Sequence, residues 1–487
     1  MHPQEYMKHD GMALAALVAA GEVTAAELAQ TAIAAAERVN PAINAVVELF
    51  RDAVDSADTH ANAAKGPLAG APFLIKDFVI MSQGRRQDMG SRLMAGFTAP
   101  MDTHLMSRIN AAGLVTVGRT ATPEFAFNVS TEPIHGGAVR NPWNLEFMAG
   151  GSSGGAAAAV AAGIVPFAHA TDGGGSIRLP AACCGLVGLK PSRGRVSPAP
   201  YVTDPLGGLG VEFAVSRSVR DSAALLDAVE GPAPGDRFEI PRPAIPYAEV
   251  ITRAPRRLKV ALVRESWTGR PLDAACRAAA DDAAALLSDL GHQVEDATAD
   301  VAAAMNFEQL LKAVLTVWTS DLAHNIHMAA AMMGRTPGPD TLEATTLACY
   351  EHGRALSAFD YHDALEAMNE FCRTLAPVLG RWELMLTPTC AKLPQLLGTY
   401  DANDSTLDAE GWVRHIFDFG SFTLPWNVTG QPAISLPLFW SPAELPVGIQ
   451  LVGRFGDDSN LLAVAAELEQ ARPWRDKWPR VNVQRSH

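Results

Sequence analysis

Three residue settings in this sequence could do chemistry together. Lys76 stands inside GAPFLIKDFVI, a short apolar run with strand character. Burial there would strip an ammonium group of water and lower its pKa, leaving a neutral amine able to accept a proton. Ser152 and Ser153 sit in GGSSGG, Gly150 to Gly155, and Ser176 follows directly on Gly173, Gly174 and Gly175. A serine hydroxyl becomes a nucleophile once a base removes its proton. A glycine loop entering a helix can aim several backbone N–H groups at one point, where an oxyanion would develop.

Each feature has a plainer meaning when it stands alone. A strand lysine often snorkels to solvent, and glycine–serine runs are often flexible loops. Two rival patterns are also present in outline. A phosphate loop needs a lysine after its last glycine, but Ala156 follows Gly155, so that device is excluded. Gly150-Gly151-Ser152-Ser153-Gly154 fits G-x-S-x-G, the nucleophile elbow of α/β-hydrolase-type esterases. That elbow must follow a strand, and NPWNLEFMAG, with Asn141, Pro142 and Asn144, reads as a poor one. It also needs a histidine base, and none of the 13 histidines stands in a recognisable Asp/His constellation.

The elements that must position these residues read as an α/β body. Helical spacing runs from Gly11 to about Leu49, with Gly21 and Asn40-Pro41 as breaks. GAPFLIKDFVI and LVTVGRT read as strands with the helix HLMSRINAAG between them, the alternation of a parallel sheet. AAAAVAAGIV reads as a buried helix that carries GGSSGG at its start. LKVALV is a further strand, followed by a helical excursion from about 274 to 379 broken at GRTPGPD. ELMLTPTC, PAISLPLF and VGIQLVG return to strand character, and NLLAVAAELEQAR closes as an amphipathic helix. The expected fold class is α/β: a large mixed, mostly parallel central sheet with helices on both faces. Adjacent strand residues point to opposite faces, so the Asp77 carboxylate should aim away from Lys76.

Bulk properties narrow the function classes. The chain has 487 residues, 48% of them hydrophobic and 19% charged, enough to build a large core. A net charge of −14 disfavours a nucleic-acid or anionic-membrane surface. No apolar run is long enough to span a bilayer, and the N-terminus lacks the pattern of a secretory leader. The six cysteines are too sparse for a disulfide scaffold and read as reduced thiols, which points to the cytoplasm. Neither H-E-x-x-H nor a paired-cysteine motif occurs, so no metal or other cofactor is expected.

The stretch GGSSGGAAAAVAAGIVPFAHATDGGGSIRLPAACCGLVGLKPSRGRVS, Gly150 to Ser197, resembles the signature block of the amidase signature family. IKDF around Lys76, GRTATPEF, RNPWN, LTPT, GQPAISLPL and PVGIQLVG extend the resemblance over most of the chain, thinning between about 264 and 383. The resemblance implies one amidase domain over 1–487, with the catalytic motifs in 70–200 and a variable helical excursion over 270–380 that shapes the substrate pocket. It implies a triad of Lys76 as base, Ser152 as a bridging serine held by a cis peptide, and Ser176 as the nucleophile that forms an acyl-enzyme. The interval of 24 residues between Ser152 and Ser176 is the family's, which selects Ser152 over Ser153. Ser153 is then supporting, as are Asp172 and Arg178, which would orient the nucleophile loop. The backbone N–H groups of Gly173, Gly174, Gly175 and Ser176 would form the oxyanion hole. The family usually carries Thr or Ile where this chain has Gly173, a departure that could loosen the loop or admit a bulkier substrate.

TEP-x-x-x-G-A-x-RNPWN (Thr131 to Asn144), IMSQG and FTLPWNVTGQPAISLP resemble the bacterial branch of nylon-oligomer hydrolases, aryl acylamidases and urethanases. That implies small, fairly apolar amide or carbamate substrates, with no nucleic acid or membrane partner, for a monomer or homodimer. Pocket candidates are Phe127, Asn128, Trp318 and Ile434, with Met332 and Met333 further out. The alternative within the family is an amidotransferase A-type subunit working in a complex.

Overall fold

The computed structural model describes residues 1–485 apart from Lys65 and Thr203. Short apolar runs have become strands, and segments with apolar residues every three or four positions have become helices. In chain order the strands are β1 (Val46–Leu49), β2 (Pro72–Lys76), β3 (Val115–Thr120), β4 (Arg140–Asn141), β5 (Asn144–Met148), β6 (Phe167–Asp172) and β7 (Val187–Lys190). They continue as β8 (Val211–Ser216), β9 (Lys259–Leu262), β10 (Gln293–Asp296), β11 (Leu384–Pro388), β12 (Ala433–Trp440) and β13 (Pro446–Gly453). All but β4 and β5 join one sheet in the order β1-β3-β2-β6-β8-β7-β12-β13-β11-β9-β10.

Every residue of β2, β6, β11 and β13 is buried. Because successive side chains point to opposite faces, such strands must be covered on both. The mixed α/β sheet expected from the sequence is therefore present. Parallel pairing forms two blocks, β3-β2-β6 and β11-β9-β10. The remaining six of the sheet's ten pairings are antiparallel, including the β12–β13 hairpin. Strand patterning encodes burial but not direction, so this balance was not readable from the sequence.

Several boundaries differ from the sequence reading for identifiable reasons. The helix Ala25–Ile43 opens on a capping box of Thr24 and Glu27 and runs through Pro41, which lies in its last turn. It stops at left-handed Asn44, and β1 follows where helix had been expected. NPWNLEFMAG does contain strand, β5, but it pairs with β4 in a separate hairpin outside the main sheet. The helical excursion contains β10, whose QVED sequence has one apolar residue at an exposed edge. The 27-residue helix Phe307–Met333 is its longest element, ending at Gly334 as the GRTPGPD break requires.

Candidate active site

β2 and β6 are parallel neighbours, so their C-terminal ends fall together, the usual place for a site in such a sheet. β2 delivers Lys76 and β6 delivers Thr171 and Asp172 to the same end. GGSSGG arrives from the other side, because the fully buried helix Gly154–Ala161 packs on β6 and β2. The Gly151–Ser152 peptide is cis. Lys76 Nζ lies within hydrogen-bond distance of Ser152 Oγ at 2.7 Å, Thr171 Oγ1 at 2.8 Å and Ser153 Oγ at 3.0 Å. All three partners are hydroxyls.

Lys76 is fully buried. Burial holds its pKa well below the ordinary lysine value, and the charges of Asp172 and Glu212 offset only part of that. Asp77, the next residue, faces a separate polar cavity of about 310 Å³ that also borders Arg119, Asp88 and His135. Its carboxylate accepts from the N–H groups of Asp88 and Gly90 and lies 3.8 Å from Arg119 Nε. Burial pushes Asp77 up to about 7 despite Arg119. Strand alternation thus sends the carboxylate next to Lys76 in sequence to the far face, as expected.

Asp172 and Arg178 form a fully buried bidentate pair, with Arg178 Nε and Nη2 at 2.9 and 2.8 Å from the two carboxylate oxygens. Burial alone would raise Asp172, but the charge and hydrogen bonds of Arg178 bring it to about 2. The same carboxylate accepts the N–H groups of Gly175 and Ile177, which fixes the loop carrying Ser176. Of the backbone groups expected to form the oxyanion hole, the Gly175 N–H is committed to Asp172 Oδ1 at 2.8 Å. No described residue accepts from the N–H of Gly173, Gly174 or Ser176.

Gly175 has φ +138°, and a Cβ there would lie 2.5 Å from Thr423 Oγ1, so only glycine fits. Gly173 is different. A Cβ on it would meet Leu206 Cδ1 at 2.5 Å, the flexible end of a side chain. The space freed by glycine is filled by Leu206 rather than left open.

Ser152, Thr171, Gly173, Gly174 and half-buried Ser176 line one cavity of about 140 Å³. Its walls are mainly apolar, including Phe78, Phe125, Phe127, Leu206 and Trp318. Trp318 packs edge-on to Phe127 with ring centroids 5.3 Å apart. Two pocket candidates lie elsewhere. The Asn128 side chain is a loop staple, donating to the Tyr400 carbonyl at 2.9 Å. Ile434 is core, paired in the sheet with Leu189 and Leu451. Met332 is exposed at the far end of its helix and does not border the cavity, and neither does Met333.

The family model for amidases matches residues 27–462. The chain belongs to the amidase signature family. It is an amidohydrolase, acting on amide C–N bonds. A 6-aminohexanoate-cyclic-dimer hydrolase of Paenarthrobacter ureafaciens is 39% identical over 483 residues, covering 97% of this chain and 96% of that protein. A solved structure of 6-aminohexanoate cyclic dimer hydrolase with its substrate superposes with a TM-score of 0.91 at 38% identity, covering 98% of this chain and 99% of the other. A bacterial aryl acylamidase of the same family shares the fold, with a TM-score of 0.85 at 24% identity and 96% of each chain covered.

In this amidase several contributors escaped the sequence reading. Thr171 is the third hydroxyl on Lys76, and its only signal was its place beside Asp172 at the end of a strand next to β2. Asn427, Thr423 and Gln450 hold Arg178 from the C-terminal part of the chain: Asn427 Oδ1 at 2.7 Å, Gln450 Oε1 at 2.8 Å and the Thr423 carbonyl at 2.9 Å. Among the described residues no His, Cys, Asp or Glu cluster is arranged to hold a metal, and no helix is long and apolar enough to cross a membrane. All six cysteines are free thiols.

Proposed function

We propose that this amidase hydrolyses small, fairly apolar amides or carbamates, including anilides and nylon-oligomer-like amides, through Ser176, Ser152 and Lys76. One observation carries the reading: a fully buried lysine whose Nζ meets three hydroxyls and no carboxylate. Burial disfavours the ammonium form of such a lysine, and the neutral amine next to a serine is a base.

In the first step Ser176 Oγ attacks the substrate carbonyl while its proton passes to Ser152 and the Ser152 proton passes to Lys76. The oxyanion forms against the free N–H groups of the Gly173–Gly174 turn, a contribution typically worth ~3 kcal/mol per donor in such sites. As the C–N bond breaks, the proton returns through Ser152 to the departing amine, leaving an ester on Ser176. Water then attacks that ester by the same relay and regenerates Ser176. The wall of Phe125 and Phe127 supports apolar substrates, since these rings exclude water from the acyl group without offering hydrogen bonds. The cavity's modest volume of about 140 Å³ supports small ones.

A panel of anilides, linear and cyclic amides, carbamates and esters incubated with the purified chain tests the substrate range. A p-nitroanilide cleaved by this chain alone rules out dependence on partner subunits. Ser176→Ala should abolish turnover with the circular dichroism spectrum unchanged, and a fluorophosphonate should label Ser176. Label on Ser152 would refute the assignment of the nucleophile.

A further inference from the structure

The charged groups bordering the cavity are of one sign. Asp172, Glu212 and Asp321 are among its lining residues, and no lysine, arginine or histidine is. Asp172 is cancelled by Arg178. The other two are not. Glu212 Oε2 lies 3.1 Å from His169 Nε2, whose other ring nitrogen, Nδ1, accepts the Lys76 backbone N–H at 3.4 Å, so the imidazole meets Glu212 as an uncharged donor. Lys76 forms no ion pair with Glu212, and burial lowers its pKa well below the ordinary lysine value.

Asp321 lies on the helix Phe307–Met333, half-buried in the cavity wall, one turn before exposed Asn325, which also lines it. Asn325 Nδ2 donates to it at 2.7 Å, and the Leu206 N–H is a second donor. Both partners are uncharged, and no described cation forms an ion pair with it. Burial raises its pKa, which His324 and these two donors pull back only in part. A cation seated against the carboxylate would complete it, favouring its ionised form.

We infer that, within the amidase reading above, this cavity selects amides that also carry an ammonium group, held against Asp321, and rejects those that carry a carboxylate. An anionic substrate would meet uncompensated Glu212 and Asp321 in a largely desolvated space, where like charges repel far more strongly than in water. The hydrogen bond from the Leu206 N–H gives Asp321 a structural duty as well, since it holds the backbone that carries the side chain filling the gap at Gly173. The test must therefore read charge rather than stability.

The experiment compares p-nitroanilides of matched length whose acyl chains end in methyl, ammonium or carboxylate. A mirrored set carries the three groups on the amine side of an alkyl amide. In at least one set kcat/KM should fall from ammonium to methyl to carboxylate, with the first step about tenfold, or about 1.4 kcal/mol. Asp321→Asn keeps an acceptor for the Leu206 N–H, and should bring the ammonium-to-methyl ratio towards one. High salt should narrow the same ratio in the unmodified protein. Equal rates for ammonium and methyl substrates in both sets would overturn the inference and leave the amidase reading standing. So would a ratio that survives Asp321→Asn. If no compound of either set is cleaved, the substrate reading fails and this inference falls with it.

Discussion

At the residue scale, the proposed role of Lys76 as base sets an expectation for how the enzyme responds to pH. A base must be deprotonated to act, so kcat/KM should rise with pH as Lys76 loses its proton and then level off. Because burial lowers that pKa well below the ordinary lysine value, the rise should fall well short of the alkaline range where an exposed lysine titrates, ~10.4. A pH profile of the free enzyme on a neutral anilide checks this. Lys76→Ala should remove the ascending limb along with most of the activity, and an optimum in the acidic range would contradict a lysine base. Burial of β2 and the apolar run before Lys76 made this residue legible in the sequence. The hydroxyl cage around it was less so, because Thr171 meets Lys76 only through the pairing of two strands nearly a hundred residues apart.

At the scale of elements, the loop between β6 and the helix Arg178–Cys184 shows what glycine spacing can and cannot tell. The run of three glycines announced an anion-stabilising turn, yet its N–H groups are divided between two jobs. Asp172 takes that of Gly175, while those of Gly173 and Gly174 stay free. Nothing in GGGS distinguishes them, since the difference comes from the Asp172–Arg178 pair beneath. Gly173→Ala should be tolerated by the backbone, which lacks the left-handed φ of Gly175, but its methyl would push Leu206 towards the cavity. The expected result is a raised KM for bulky acyl groups with little change in Tm, and Gly173→Ala with Leu206→Ala should bring KM back down. Gly175→Ala, by contrast, meets Thr423 and Leu179 and should cost both folding and turnover, with no repair from Leu206→Ala. Equal damage from the two single variants would mean that the space beside Gly173 is not filled as described. The strands of the second half were legible from LMLTP and PVGIQLVG, whereas β6 was obscured by the polar His169, Thr171 and Asp172 in FAHATD, polar because they serve the site.

At the scale of the whole molecule, the proposed catalytic groups come from one stretch of chain and the support of their loop from another. Lys76, Ser152 and Ser176 lie in the first part, as does the supporting Arg178, which is held by Thr423, Asn427 and Gln450 from near the other end. The two parts meet where β7 pairs with β12, inside a single eleven-stranded sheet. Long-range pairing of this kind leaves no trace in local periodicity, so the sequence offered candidates for the acting residues but not what holds them. Asn427 is the sharpest probe of this coupling. It donates to the Asp172 carbonyl and carboxylate, at 3.0 and 2.9 Å, and to the Leu209 carbonyl at 3.0 Å, while accepting from Arg178. Asn427→Ala would leave a buried guanidinium and a buried carboxylate each short of a partner, at a typical cost of ~1–3 kcal/mol or somewhat more for charged groups. Urea unfolding should show that loss as an earlier midpoint. Because the Asp172 carboxylate also fixes the Gly175 and Ile177 N–H groups, kcat should fall as well, at temperatures where the variant is still fully folded. A variant that loses stability but keeps its kcat would show that the C-terminal segment supports the fold without positioning Ser176.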